Sequence, residues 1–195
     1  MKELEMPVRK LIENARVSVI TDLGGSAQLW ASCGVFLERH RVLNRLVELS
    51  VMLGEQHETA LDPAKVRLGV ENMLRNPLLG QYVVAWSNDD RILGMMELKK
   101  RFESWHNHSD WHIDNFIVFQ EFRSHGIGTK MLEYVKRAAT LEGMDALWLE
   151  VAYANEQVLG FYEKRGFMRK GHLLEYHIPH EGPNAPVGEP VVAAT

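Results

Sequence analysis

Seven residues in the second half of the chain, Arg123-Ser-His-Gly126-Ile-Gly128-Thr129, combine what an anionic ligand needs. Glycines adopt backbone angles closed to other residues and let a ligand approach the main chain. If a helix opens here, its first N–H groups lack intrahelical partners and carry partial positive charge. Such a turn suits a pyrophosphate, and Arg123 can add a charged, forked donor. The same glycines could equally make a tight turn with no ligand. The dinucleotide fingerprint G-x-G-x-x-G does not fit, because Met131 stands where its third glycine belongs.

The flanking pattern supplies the strand and helix such a turn requires. Trp111 to Phe119 alternates as a half-buried strand does. Its parity sends His112, Asp114, Phe116 and Val118 one way and Ile113, Asn115, Ile117 and Phe119 the other. After the turn, Lys130 to Glu142 reads as a helix packing through Met131, Leu132, Val135, Ala138 and Ala139, with Gly143 as its stop. Upstream, Gln81–Trp86 and Ile92–Phe102 form a hairpin around Asn88-Asp-Asp90. Glu97 then shares a face with Leu93 and Met95, an acid on an otherwise apolar side. Downstream, Leu147–Ala152 is apolar enough for a covered strand, with Trp148 in the core. Glu150 there is either a partnered sheet acid or a base candidate. Asn155 is a good N-cap for a last helix carrying Val158, Phe161 and Tyr162, closed by Gly166. Phe167 to Ile178 reads as a final strand or two.

Earlier segments frame this centre. Glu3 to Asn14 could be a short amphipathic helix, Arg16 to Ile20 is β-rich, Asp22-Leu-Gly-Gly25 is a turn, and Ala27 to Leu37 reads as a strand. Val42, Leu46, Leu49 and Leu53 recur at helical spacing. Asp62-Pro63 is a helix start, with Asp as cap and Pro in the first turn, and Pro77 ends that helix. Residues 103–112 read as a polar loop. Its histidines, His106, His108 and His112, lack the spacing of a metal site, so no metal is expected.

Bulk properties narrow the class. A chain of 195 residues with 46% hydrophobic and 25% charged residues suits one soluble globular domain. The net charge of −4 leaves no basic footprint for nucleic acid. No apolar run approaches a membrane span, and the N-terminus has no apolar signal core, so the cytoplasm is the expected address. The single cysteine, Cys33, excludes an internal disulfide and reads as a buried structural thiol. Pro179 to Thr195 has four prolines and no aromatic residue, the composition of a flexible tail.

R-x-x-G-x-G after a strand resembles the acetyl-coenzyme A site of the GNAT N-acetyltransferase superfamily. A second block, Asn155-Glu-Gln-Val-Leu-Gly-Phe161-Tyr162-Glu-Lys-Arg-Gly166-Phe167, is similar to that family's late N…FY…GF segment, and LWLEVAYA to its fifth strand. Locally the chain looks most like small-amine acetyltransferases of the diamine type. The resemblance covers about residues 40–178. It implies an α/β fold with a mixed, mostly antiparallel sheet flanked by helices. The domain would run over 41–178, after an extension at 1–40 and before a tail at 179–195.

The resemblance also implies roles. Main-chain groups of Ile117 and Val118 would pair with pantetheine. Arg123, Ser124, His125, Gly126, Ile127, Gly128 and Thr129 would hold the pyrophosphate of acetyl-CoA, and Asn155 would reach the cofactor. Gln120 and Phe122 stand where the family often has proline and tyrosine, which main-chain phosphate binding tolerates. Tyr162 matches the usual acid near the leaving sulfur, and Asp114 and Glu97 are the base candidates, with Glu150 behind them. Met52, Gln56 and His57 are possible acceptor contacts. The acceptor would be a small-molecule amine, and Glu97, Glu103, Asp110 and Asp114 favour a cationic one. A homodimer is usual among look-alikes. A catalytically silent acetyl-CoA sensor, a protein-amine acetyltransferase, and an interaction protein that keeps the fold without the cofactor are the alternatives.

Overall fold

A computed structural model describes residues 15–20, 28–30, 36–104 and 107–171. The expected helix at 3–14, the turn at 22–25, Cys33, His106 and the tail lie outside them. The chain divides into two compact units, Met1–Ala154 and Asn155–Thr195.

The first unit is built on a five-stranded sheet in the order β1-β4-β5-β6-β7. Its strands are β1 (Arg16–Ile20), β4 (Gln81–Trp86), β5 (Ile92–Glu103), β6 (His108–Val118) and β7 (Ala146–Leu149). All neighbours are antiparallel except the parallel pair β6–β7. A separate small ribbon pairs β2 (Gln28–Trp30) with β3 (Phe36–Glu38), two short strands where one was expected. Helix α1 (Arg39–Gln56) and helix α2 (Pro63–Arg75) follow, the latter capped by Asp62, whose carboxylate accepts from the Ala64 N–H at 2.9 Å. Helix α3 (Ile127–Leu141) connects β6 to β7.

The core follows from the alternation along β4 and β5. Tyr82 to Trp86 and Ile92 to Leu98 are buried throughout, so both faces of the central strands are covered. On the face of Met95 lies α1, with Ser50 Oγ 4.0 Å from the Met95 sulfur and Arg45 stacked 3.6 Å over the Phe119 ring. Val17, aligned with Ala85 and Gly94 on the opposite face, lines a groove with Thr129, Lys130 and Arg137 of α3. Helix α3 buries Ile127, Met131, Leu132, Val135 and Ala139. Each of the four larger side chains contributes roughly 1.5–3 kcal/mol on leaving water.

Two departures from the sequence-based picture concern β6. The strand begins at His108, so the polar loop is shorter than expected and His108 joins His112 on the strand. The even alternation also fails. Glu97 pairs with Asn115 and Leu98 with Ile113, which leaves Asp114 as an extra residue in a β-bulge. Below the bulge the faces exchange. His112 and Asp110 share the face of Asn115, Ile117 and Met95, while Ile113 and Trp111 share that of Phe116 and Met96. A bulge costs no change in residue type, which is why alternation alone could not reveal it.

Candidate active site

The turn after β6 has the backbone its glycines require. Gly126 caps α3 at φ +80°, in the left-handed region, and nothing lies within 4 Å of where a Cβ would stand. No side chain caps the helix, and its first ladder bond is Lys130 N–H to the Gly126 carbonyl at 3.0 Å. The positive end of the helix at Gly126 thus borders the groove that Thr129 and Lys130 also line. Ser124 also sits at positive φ, +62°. Ser124, His125 and Gly126 are exposed, while Ile127 is buried and can offer only its main chain. Arg123 is exposed, and its Nε donates to the Val118 carbonyl at 2.9 Å. The Arg123 carbonyl lies 2.6 Å from His125 Nδ1.

Beside this turn the sheet opens. Pairing between β6 and β7 spans only Asp110↔Ala146 to Ile113↔Leu149. Among the described residues, β6 from Asp114 to Val118 has a strand partner on the β5 side alone. Ile117 turns its main-chain groups toward β5, while Val118 turns its own to the open side, where its carbonyl accepts from Arg123. On the paired side Gly94 lets β5 approach β6 closely, since a Cβ on it would lie 2.7 Å from the Ile117 carbonyl oxygen. A glycine inside a strand is the signal that could have found this contact.

On the α1 face, next to the open edge, the polar side chains converge. Glu97 is buried and accepts from Asn115 Nδ2 at 2.9 Å, with Lys99 Nζ at 3.5 Å. Lys99 also pairs with Asp114. Partial burial alone would lower the Lys99 ammonium's pKa. The hydrogen bond to Asp114 and the charges of Glu97 and Asp114 outweigh burial and raise it. Tyr82 bonds to Glu97, and burial, then that carboxylate, push its phenol far above the ordinary range. Asp114 Oδ1 lies 3.5 Å from His112 Nδ1, and Glu150 Oε1 lies 3.6 Å from His112 Nε2. Of this cluster, sequence reasoning had singled out Glu97, Asp114 and Glu150. It missed the parts played by Lys99, Asn115 and His112. Lys99 shares the parity of Glu97, so that one was within reach.

Other expectations need correction. Trp148 is not core. It is 39% exposed, and its Nε1 donates to Asp110 Oδ2 at 2.9 Å. Strand β7 ends at Leu149, leaving Glu150 just beyond it. Gln56 and His57 are exposed and Met52 is half-buried.

In the second unit, Asn155 is not a helix cap. It lies at a kink in the 3-10 segment Tyr153–Val158, and Val158 caps α4 (Leu159–Glu163). Tyr162 on α4 packs edge-on against Phe161 and Phe167, at centroid distances of 5.2 and 5.7 Å. Burial pushes its phenol up to about 12. No strand is found over residues 167–171, and the rest of the expected final strand lies outside the described residues.

A mixed sheet parted beside a helix N-terminus defines a class of α/β proteins that hold an extended, phosphate-bearing ligand through the main chain. The acetyltransferase (GNAT) family matches residues 46–167, and the chain belongs to it. N-alpha-acetyltransferase 60 of Danio rerio is 35% identical over 68 residues, 33% of this chain. The match spans 28% of that relative's length. A solved probable acetyltransferase has the same fold, with a TM-score of 0.67 at 21% identity over 86% of this chain and 99% of that one. So does the aminoglycoside acetyltransferase meta-AAC0020 from an uncultured soil metagenomic sample, solved with trehalose. Its TM-score is 0.66 at 11% identity, over 87% of this chain and 99% of that one. The family implies acetyl-CoA, and two features of this chain fit it. The space beside Gly126 is open where a Cβ would stand, as a main-chain anion cradle needs, and β6 at Val118 lies beyond its pairing with β7, as an extended amide-bearing arm needs.

Proposed function

We propose that the chain transfers the acetyl group of acetyl-CoA to a primary amine on a small cationic acceptor. Acetyl-CoA, when bound, supplies the activated acetyl group. The residues that would hold it are Ile117 and Val118 through their main chain and Arg123 to Thr129 at the turn, and the resemblance gives Asn155 a part in the same task. The observation that carries the acceptor reading is the Glu97–Lys99–Asp114 cluster. These two carboxylates stabilise an ammonium, their own lysine's, next to the free β6 edge.

The chain's task is proton management. A lysine-like amine stands about 3.4 pKa units above pH 7, so freeing its lone pair costs roughly 4–5 kcal/mol. Glu97 and Asp114 draw the ammonium in, and a base must then take its proton. The resemblance gives Tyr162 the part of acid toward the departing sulfur, and burial pushes its phenol up to about 12. Main-chain N–H groups of β6 would stabilise the developing oxyanion. The local likeness to diamine-type enzymes supports a polyamine-like acceptor. The 35% identity to an N-alpha-acetyltransferase favours a second reading, a protein amine. A cytoplasmic homodimer belongs to the same proposal.

The test is an acetylation assay over a panel of diamines, polyamines, aminoglycosides and peptides, reading free thiol, with wild type and Gly126→Glu. Turnover of small diamines above peptides supports the proposal, and turnover of peptides alone supports the second reading. Thiol release by Gly126→Glu equal to wild type contradicts the cofactor placement.

A further inference from the structure

We propose that His112 is the general base, oriented by Asp114 as an imidazole–carboxylate dyad, with Glu150 as the outlet for the proton. The inference rests on the acetyl-transfer reading and names the group within that site that takes the proton.

The geometry comes from the vertex at which β6 and β7 part. His112 sits in the second-to-last residue pair, opposite Trp148, and Asp114 and Glu150 stand on the two diverging arms. The imidazole side chain is 12% exposed. Its Nδ1 lies 3.5 Å from Asp114 Oδ1. Its Nε2 is buried, has no hydrogen-bond partner, and lies 3.6 Å from Glu150 Oε1. A buried polar atom left without a partner is costly, and such atoms recur at sites that do chemistry. Separations slightly beyond hydrogen-bond reach are common before substrate binds and tighten afterwards.

The charges around the ring assign the tautomer. Lys99 faces it from β5, with Glu97 behind. Asp110 and Asp114 flank it on β6, and Glu150 approaches from beyond β7. Asp114 accepts most naturally from Nδ1–H, leaving the lone pair on Nε2. Lys99 cannot serve as base, because its two carboxylate neighbours keep it an ammonium. Glu150, with its side chain 50% exposed, can swing aside to admit the acceptor ammonium and then return.

The proton balance closes without a co-reactant. The ammonium N–H bond breaks, its electron pair stays on nitrogen for attack, and the proton goes to Nε2. The imidazolium passes that proton to Glu150, and Glu150 to water, while the second proton that nitrogen loses on acylation makes good the one given to the departing sulfur. Nδ1–H stays with Asp114 throughout, so the ring needs no flip before the next turnover.

Two measurements test this. First, nitrogen-15 imidazole NMR of the free wild-type protein reads the tautomer. A neutral His112 protonated on Nδ1 supports the dyad, and one protonated on Nε2 overturns it. Second, kcat/KM against pH is compared for wild type, His112→Gln, Asp114→Asn and Glu150→Gln. Glutamine keeps hydrogen bonding but cannot exchange protons. His112→Gln should lose about 10²–10³-fold in kcat, keep its KM for acetyl-CoA and lose the acidic limb of the profile. Activity within threefold of wild type at every pH, or a loss that leaves the profile's shape unchanged, overturns the proposal. If His112→Gln does not fold, the wild-type tautomer decides alone. Wild-type protein that shows an acetyl-CoA thermal shift but acetylates no amine sinks the proposed function instead, and the NMR result still judges the dyad.

Discussion

The turn at Gly126 and the cluster at Glu97 lie at opposite ends of one β6 edge, and they are made of different material. The turn works through main-chain N–H groups, so its side chains can vary while its backbone angles cannot. The cluster works through side chains whose meeting depends on strand register. A substitution at the turn should therefore act through conformation and charge, and one at the cluster through lost proton transfer.

The largest effect is expected at the turn. Gly126→Glu places a carboxylate in the phosphate cradle at a φ that L residues avoid. Wild type at 100 times the dissociation constant of acetyl-CoA should gain about 2.7 kcal/mol in a thermal-shift titration. The variant should gain nothing, and an equal gain would break the contrast between the two regions. Next comes Glu97→Gln, which removes charge from the cluster but keeps its shape. We expect kcat/KM to fall about 10²–10⁴-fold with acetyl-CoA binding intact. A loss of acetyl-CoA binding instead would mean that the two regions are not separate.

Tyr162→Phe should cost about 10²-fold in kcat, a milder loss than destroying the cradle. Its pH behaviour has a definite sign. The folded phenol titrates near 12 against 10.0 when free, so the folded state holds its proton longer than the unfolded state. The stability this gives is fully present below about pH 10 and is lost as pH rises through about 12. Phenolate absorbance and thermal melts check both limits, and an ionisation of Tyr162 below pH 10 would contradict them. The smallest catalytic effect belongs to Gly94→Ala. Its methyl group would press on the Ile117 carbonyl, costing about 1–3 kcal/mol in a denaturant melt. Its kcat should hold while the KM for acetyl-CoA rises.

What could be read in the sequence follows the same division. The cradle was legible because glycine at positive φ leaves a mark in residue type. The strands Arg16–Ile20 and Gln81–Trp86 and the Asp62 cap were legible because period and capping chemistry are local. The cluster was only half legible. The bulge at Asp114 moved His112 to the face of Asn115, and nothing in residue order announces a bulge. Trp148 looked like core because an apolar run hides how much of a strand is covered. Asn155 looked like a cap because asparagine suits one, but a kinked 3-10 segment intervenes before the helix begins.

Amide hydrogen exchange, with and without acetyl-CoA, tests the central claim most directly. Slowed exchange is expected on binding at Val118, whose N–H faces away from β5, and in the first turn of the helix after Gly126. Unchanged exchange at these amides, with protection appearing elsewhere, would contradict it.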